Sequence, residues 1–354
     1  MRSQPPPLRN HTSKMTSTST VRVMSPEEIA ARAGGETPYL RWPDSSSCFA
    51  QREMRLRQLA SNHAMGDYLL FMAELAHCQQ RCLDNHPFTI VPDSTAIGLA
   101  TKRGEPPLKA TEWTRDPIWH QHARDIANHL IPFAPDGTRP TLTKLGLFTD
   151  EQFERQADIL VRGLSTGLDL ASAPIIGGAL QVYWTQMLLT VQRQHKGLGE
   201  ALGRSDDETR CPCCGSRPTA SVTRSSGESL GQRYLHCSLC GLEWHLVRIK
   251  CPNCLSEKSL AYHSLTSADH DTESGSDAAM ARIQAESCDE CDTYLKVAHT
   301  DRDAFAEPVA DDLASLALDL LMSEAGKQRH GLNYMLLFGH SAETVPPDPD
   351  VRRH

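Results

Sequence analysis

No apolar run in this chain is long and clean enough to suggest a bilayer span. The most apolar stretch, Ala173 to Val191, is interrupted by Gln181, Thr185 and Gln186, the pattern of a buried helix. The first twenty residues, MRSQPPPLRNHTSKMTSTST, have neither the hydrophobic centre of a signal sequence nor a twin arginine, so the expected location is cytoplasmic without membrane insertion. That location in turn disfavours structural disulfides. Basic surplus is missing as well. The formal net charge is −8, from 36 Lys+Arg against 44 Asp+Glu, which leaves no electrostatic footprint for nucleic acid. A glycine-rich phosphate loop, a nucleophile elbow and an H-E-x-x-H helix are all lacking, so nothing in the sequence points to an enzyme.

What the chain does have is cysteine in pairs. Eight of the 12 cysteines fall as four C-x-x-C units: Cys211/Cys214, Cys237/Cys240, Cys251/Cys254 and Cys288/Cys291. Two thiolates at this spacing can turn inward on one ion as a tight knuckle. Two knuckles complete a tetrahedral sulfur site, which suits zinc or a single iron. Disulfides require an oxidising compartment, and a redox dithiol calls for one C-x-x-C at a helix start in a βαβ context, which is not evident. Metal binding is therefore the reading that the spacing favours.

The residues around the pairs agree. Gly215 and Gly241 follow the second cysteines of the first two knuckles, where a left-handed backbone conformation lets amides point at sulfur. Leu255 and Asp292 stand at the corresponding places in the other two, and Asp tolerates that conformation better than most residues. Glu243–Val247 and Thr293–Val297 alternate in polarity and read as strands. The region is thus an internal duplication of knuckle, loop, knuckle and strand. The duplication favours sequential pairing, with Cys211, Cys214, Cys237 and Cys240 on one metal and Cys251, Cys254, Cys288 and Cys291 on the other, over a cross-braced arrangement. Modules so small have little core, and bound metal would supply much of their folding energy. Cys213 is a ninth thiol inside the first knuckle, read as a spare residue, with substitute ligand or free reactive thiol as alternatives. Cys48, Cys78 and Cys82 read as core packing. His120 and His122 share a helical pattern but do not face each other at that spacing. His236 and His245 flank the second knuckle and are candidates for supporting hydrogen bonds.

The remainder divides as follows. Residues 1–20 form a tail without hydrophobic pattern, 21–195 a helical domain, 196–210 a polar linker, 211–250 and 251–300 the two four-cysteine modules, 301–340 a C-terminal helix and segment, and 341–354 a second tail. Ser25-Pro26-Glu27-Glu28 carries helix-start signals. Helices are expected near Phe49–Asn62, Gly66–Leu83, Asp116–Leu130, Asp150–Leu164 (with a capping box at Thr149 and Gln152) and Leu170–His195. Thr266–Asp277 is an exposed loop by composition. A last helix is expected over Val309–Gly326, with Leu313, Leu316, Leu320 and Leu321 on one apolar face.

Several segments carry a resemblance to a known family. Cys211-Pro-x-Cys214-Gly215-Ser216, Arg233-Tyr234-Leu235-His236-Cys237-x-Leu239-Cys240 and Glu243-Trp244-His245-x-Val247-Arg248 resemble the formate dehydrogenase accessory proteins of the FdhE type. So do Cys251-x-Asn253-Cys254, Ala285-Glu286-Ser287-Cys288-Asp289-x-Cys291-x-Thr293-Tyr294-Leu295-Lys296 and Val309–Leu316. Softer likeness reaches Gly66–Leu69 and Tyr183–Met187, so the resemblance spans roughly Val21 to Gly339. It implies a mainly α N-terminal domain, two tandem rubredoxin-like or zinc-ribbon-like modules with small β-ribbons, and a C-terminal helix. It also implies a cytoplasmic, non-catalytic maturation factor that associates with the formate dehydrogenase catalytic subunit before export. The cofactor it implies is iron, one mononuclear site on each set of four cysteines, with zinc as the alternative. A homodimer is compatible with it. Two departures from the family pattern are Cys213 and a longer Thr266–Asp277 loop.

Two other classes stand beside this reading. A nucleic-acid-binding zinc ribbon should be basic on one face, yet residues 211–300 hold eight Lys+Arg against eleven Asp+Glu. A thiol oxidoreductase using Cys213 needs that thiol accessible and of low pKa.

Overall fold

The computed structural model describes residues 38–85, 93–194, 202–226, 229–265 and 281–337. The tails, the Ser25 helix start and the Thr266–Asp277 loop lie outside them. Among the described residues, seven α-helices precede the main run of strands: α1 Cys48–Ala60, α2 Gly66–Asn85, α3 Ser94–Lys102, α4 Ile118–Leu130, α5 Arg139–Gly146, α6 Asp150–Val161 and α7 Ala173–Gln194. The capping box forms at α6, where the Gln152 amide donates to Thr149 Oγ1 and the Thr149 amide donates to Gln152 Oε1. Helix α7 lies at the centre of this half, and every residue from Ile175 to Val191 is buried. Buried on all sides, it needs no solvent-facing polar stripe.

Eight strands follow the helices or flank them: β1 Leu40–Arg41, β2 Pro218–Ser226, β3 Ser229–Cys237, β4 Glu243–His245, β5 Leu260–His263, β6 Ile283–Cys288, β7 Thr293–His299 and β8 Gln328–Arg329. The duplication is visible in their order. Each half is a three-stranded antiparallel meander, β2-β3-β4 and β5-β6-β7, with one knuckle before its first strand and another between its second and third. The halves do not stand apart as separate ribbons. The first strand of one meander pairs in parallel with the last strand of the other, Ser221 opposite Val297, so the order β1-β4-β3-β2-β7-β6-β5 forms one continuous sheet. Strand β8 pairs with β7, and the segment after it reaches β2, where the Leu332 amide donates to the Pro218 carbonyl.

The expected last helix is two. Helix α8, Pro308–Ala314, stops at Ser315, and α9, Leu316–Glu324, restarts there. The Ser315 hydroxyl donates back to the carbonyls of Asp311 and Asp312, the local competition that makes serine a poor helix interior. The break turns the apolar face. Leu313, Leu318 and Met322 are buried, whereas Leu320 and Leu321 are 60% and 50% exposed. Buried ion pairs tie this C-terminal region to both halves. Arg52 and Arg55 of α1 meet Glu307, Asp303 and Asp311, and Lys296 of β7 meets Asp312 and Asp319. Residues 202–210, within the stretch read as a linker, are packed against neighbours: Leu202 is buried, and the Asp206 amide donates to the Gly104 carbonyl.

Candidate metal centres

The four knuckles share one construction. In the first, the Gly215 amide donates to the Cys211 carbonyl at 2.9 Å and the Cys211 amide to the Ser216 carbonyl at 3.0 Å. The third repeats it, Leu255 to Cys251 at 3.0 Å and Cys251 to Ser256 at 2.8 Å. The residue after each second cysteine has positive φ: Gly215 at 73°, Gly241 at 72°, Leu255 at 60° and Asp292 at 53°. Only the first two are glycine, so the second module carries L-residues in a conformation that costs them about 1–2 kcal/mol each.

These turns bring the sulfurs together in two sets, Cys211, Cys214, Cys237 and Cys240, and Cys251, Cys254, Cys288 and Cys291, with all sulfurs in a set within 4.8 Å of one another. In the first set Cys211–Cys240 is 3.6 Å, Cys214–Cys237 is 3.4 Å and Cys214–Cys240 is 3.7 Å. In the second, Cys251–Cys291 and Cys254–Cys288 are both 3.7 Å. A tetrahedral site with metal–sulfur bonds of about 2.3 Å has sulfur–sulfur edges of about 3.8 Å, whereas a disulfide is about 2.05 Å. The spacings fit two tetrathiolate metal sites. Amide donors add to this, from Leu239 and Cys240 to Cys237 Sγ and from Asn253 to Cys251 Sγ, each at 3.4 Å. Such bonds favour the thiolate form that a metal requires.

Electrostatics point the same way. Burial and neighbouring sulfurs push the Cys211 and Cys240 thiols well up. Against the upward push of burial, hydrogen bonds from Cys211, Cys237 and Cys240 hold Cys214 well down. Four thiolates cannot share a buried space without a cation among them. At the second set, burial opposes but hydrogen bonds with Thr293 and Asn253 bring Cys291 down to about 7.

The first set is bound to the helical half. Gln181 Nε2 donates to the Ser238 carbonyl at 2.7 Å and Thr185 Oγ1 to the Cys240 carbonyl at 3.3 Å, both inside the second knuckle. From the loop after α3, the amides of Leu108 and Ala110 donate to the carbonyls of Cys213 and Cys214 at 2.9 and 3.0 Å. Gln181 and Thr185 had a signal in the sequence, because they are polar residues in its most apolar stretch. The 108–110 contact had none. At the second set, Lys327 Nζ bridges Asp289 and Asp292 around the last knuckle at 2.7 and 2.9 Å.

The other candidate residues stand elsewhere. Cys213 is fully buried beside the first set, not accessible as the oxidoreductase reading requires. Cys78 and Cys82 are buried in the helical core and Cys48 is half-buried against it. His120 is held by Asp150 at 3.0 Å and Glu154 at 2.9 Å, and its neighbour His122 is buried on the same helix. His236 faces Glu243 at 3.5 Å and His245 lies edge-on to Tyr234. None of these histidines joins a sulfur set.

Comparison with known proteins places this architecture. Residues 37–199 match the family model described as "FdhE, N-terminal", 210–248 "FdhE, central domain" and 249–336 "FdhE, C-terminal domain". The "Protein FdhE homolog" of Klebsiella pneumoniae is 35% identical over 324 residues, covering 90% of this chain and 98% of the relative. The chain belongs to the FdhE family. "Protein FdhE" of Escherichia coli K12 is 36% identical over the same length. A crystal structure of the FdhE protein from Pseudomonas aeruginosa superimposes with a TM-score of 0.71 at 37% identity, covering 85% of this chain and 99% of that one. FdhE membership implies a formate dehydrogenase accessory protein with a non-catalytic role. Among the described residues no helix is long and apolar enough to cross a membrane.

Proposed function

We propose that this protein is a cytoplasmic maturation factor that binds the catalytic subunit of a respiratory formate dehydrogenase before export and holds one metal ion on each set of four cysteines. The ligands are Cys211, Cys214, Cys237 and Cys240 for one ion and Cys251, Cys254, Cys288 and Cys291 for the other. Iron is the proposed ion, with zinc as the alternative, since both accept tetrahedral thiolate ligation. The observation that carries the reading is two separate sulfur sets with tetrahedral edges, in a chain that matches FdhE proteins along nearly its whole length. Such an ion neutralises thiolates that cannot otherwise be buried together, and so holds four loops rigid. Rigid short loops make a docking surface whose ordering entropy is already met before the client arrives. Both sets offer only cysteine ligands to a four-coordinate ion, the arrangement of structural rather than hydrolytic sites.

Anaerobic capture of the tagged protein from its own host during formate respiration tests this. Enrichment of a formate dehydrogenase catalytic subunit, with about two metal ions per chain, is the expected result. Recovery of polymerase subunits or nucleic acid in its place would contradict it.

A further inference from the structure

The two sulfur sets differ in a way that the duplicated sequence does not foretell. In the first, the four cysteines are 0–1% exposed. Its second knuckle is held through the Ser238 and Cys240 carbonyls by Gln181 and Thr185 of α7, itself buried along its length. In the second set, Cys251 and Cys288 are buried, but Cys291 is half-buried and Cys254 is exposed. The knuckle that contains Cys254 also closes on Leu255 at a φ of 60°, where the matching position of the first set is Gly215. An L-residue there strains the closed turn, while glycine does not.

An incoming donor can replace a ligand only if it reaches the ion. Around the first set that requires opening the helical half. Around the second, one vertex of the tetrahedron already faces solvent, and the adjoining turn is strained.

We propose that the two sites divide the work: the first is a permanent clamp, and the second is an exchange site at which Cys254 gives way to a thiolate from a second molecule. The inference rests on the reading of both sets as metal sites. The step is a ligand substitution without electron transfer. Cys254 leaves and takes up one proton from solvent, and the entering thiol gives up its proton and occupies the vacated position. The other three cysteines stay in place.

The test uses the full chain loaded with zinc on both sets, a chromogenic chelator (4-(2-pyridylazo)resorcinol), reduced glutathione as the entering thiol, and timed alkylation mapped by mass spectrometry. Zinc is expected to leave in two equal phases whose rates differ by at least about tenfold, as local opening is cheaper than opening a core. Cys254 and Cys291 should be alkylated with the fast phase, and Cys211, Cys214, Cys237 and Cys240 with the slow one. Glutathione should accelerate only the fast phase, in proportion to its concentration. Cys254→Ser should abolish the fast phase and leave the slow one unchanged. A single phase that releases both ions would overturn the proposal, as would first-set cysteines labelled as early as Cys254 or a fast phase indifferent to glutathione. The wild-type kinetics stand whether or not the variant folds. A chain that takes up neither zinc nor iron is recognised before the chelator is added and overturns the underlying metal reading as well.

Discussion

Arg233 joins the two meanders, and its replacement should be among the most damaging single changes outside the cysteines. The side chain is 1% exposed. Its Nη1 donates to both carboxylate oxygens of Glu286 at 2.6 and 2.8 Å, Nη2 to the carbonyls of Val247 and Lys250, and Nε to that of Leu246 at 3.3 Å. Arg233 stands on β3, Glu286 on β6, and residues 246–250 connect the two modules. Arg233→Met keeps an unbranched stem but removes every donor. Glu286 is then left with the Tyr262 hydroxyl at 2.9 Å, and three backbone carbonyls lose a partner. Removing one member of a buried ion pair costs about 3–5 kcal/mol, and each stranded carbonyl adds about 1 kcal/mol where water cannot reach it. A loss of at least about 4 kcal/mol is expected. Much of it belongs to the stranded carboxylate, so adding Glu286→Leu to Arg233→Met should recover about 1–3 kcal/mol. Urea unfolding at fixed metal concentration, followed by tryptophan fluorescence on the wild type, both single variants and the double variant, measures all these terms. An Arg233→Met stability within about 1 kcal/mol of wild type, or a double variant that loses the full sum of the two singles, would contradict this role for Arg233.

Gln181→Leu leaves the Ser238 carbonyl in the second knuckle without its donor, at a cost of about 1–3 kcal/mol, and chelator challenge should show faster zinc loss from the first set alone. Burial, with Arg302 nearby, depresses the His299 imidazole to about 4 from its ordinary 6.5. The folded chain therefore keeps His299 neutral while the unfolded chain takes up a proton, so this stability is complete above about pH 6.5 and is lost as pH falls toward about 4, by roughly 3 kcal/mol. Unfolding free energies across that range should fall more steeply in wild type than in His299→Gln. Gly241→Ala meets only Pro43 Cβ at an ordinary 3.8 Å, so its cost is the φ of 72° alone, about 1–2 kcal/mol in a denaturation midpoint series.

The features legible in the sequence were those with strong local causes. The capping box placed α6, and the knuckle residues announced both sulfur sets and the positive φ at Gly215 and Gly241. The short helices α3 and α5 have weak local signals, one interrupted by Gly98 and the other carrying Pro140 in its first turn. Strands β2 and β6 do alternate, over Thr219–Thr223 and Ile283–Glu286, but mostly with small and polar residues that give a weak signal. The sheet is covered on both faces, so Thr219 through Thr223 and Gln284 through Cys288 are all buried, several of them polar and satisfied by partners far along the chain. Glu286 and Lys296 are charges whose burial becomes intelligible only once Arg233, Asp312 and Asp319 are placed beside them. The same non-local packing explains why two similar cysteine modules differ in exposure. Helix α7 covers the first, and nothing in either module's own residues encodes that cover.

In the proposed role, this chain serves formate dehydrogenase through two thiolate-held metal sites. Formate dehydrogenase activity, measured in a bacterium deprived of its own FdhE and supplied with this protein, tests it most directly. Restored activity is expected with the wild type, and its loss with Cys211→Ser or Cys251→Ser, each at normal protein level. Absence of restoration by a full-length, metal-loaded wild type, or full restoration by both cysteine variants, would contradict it.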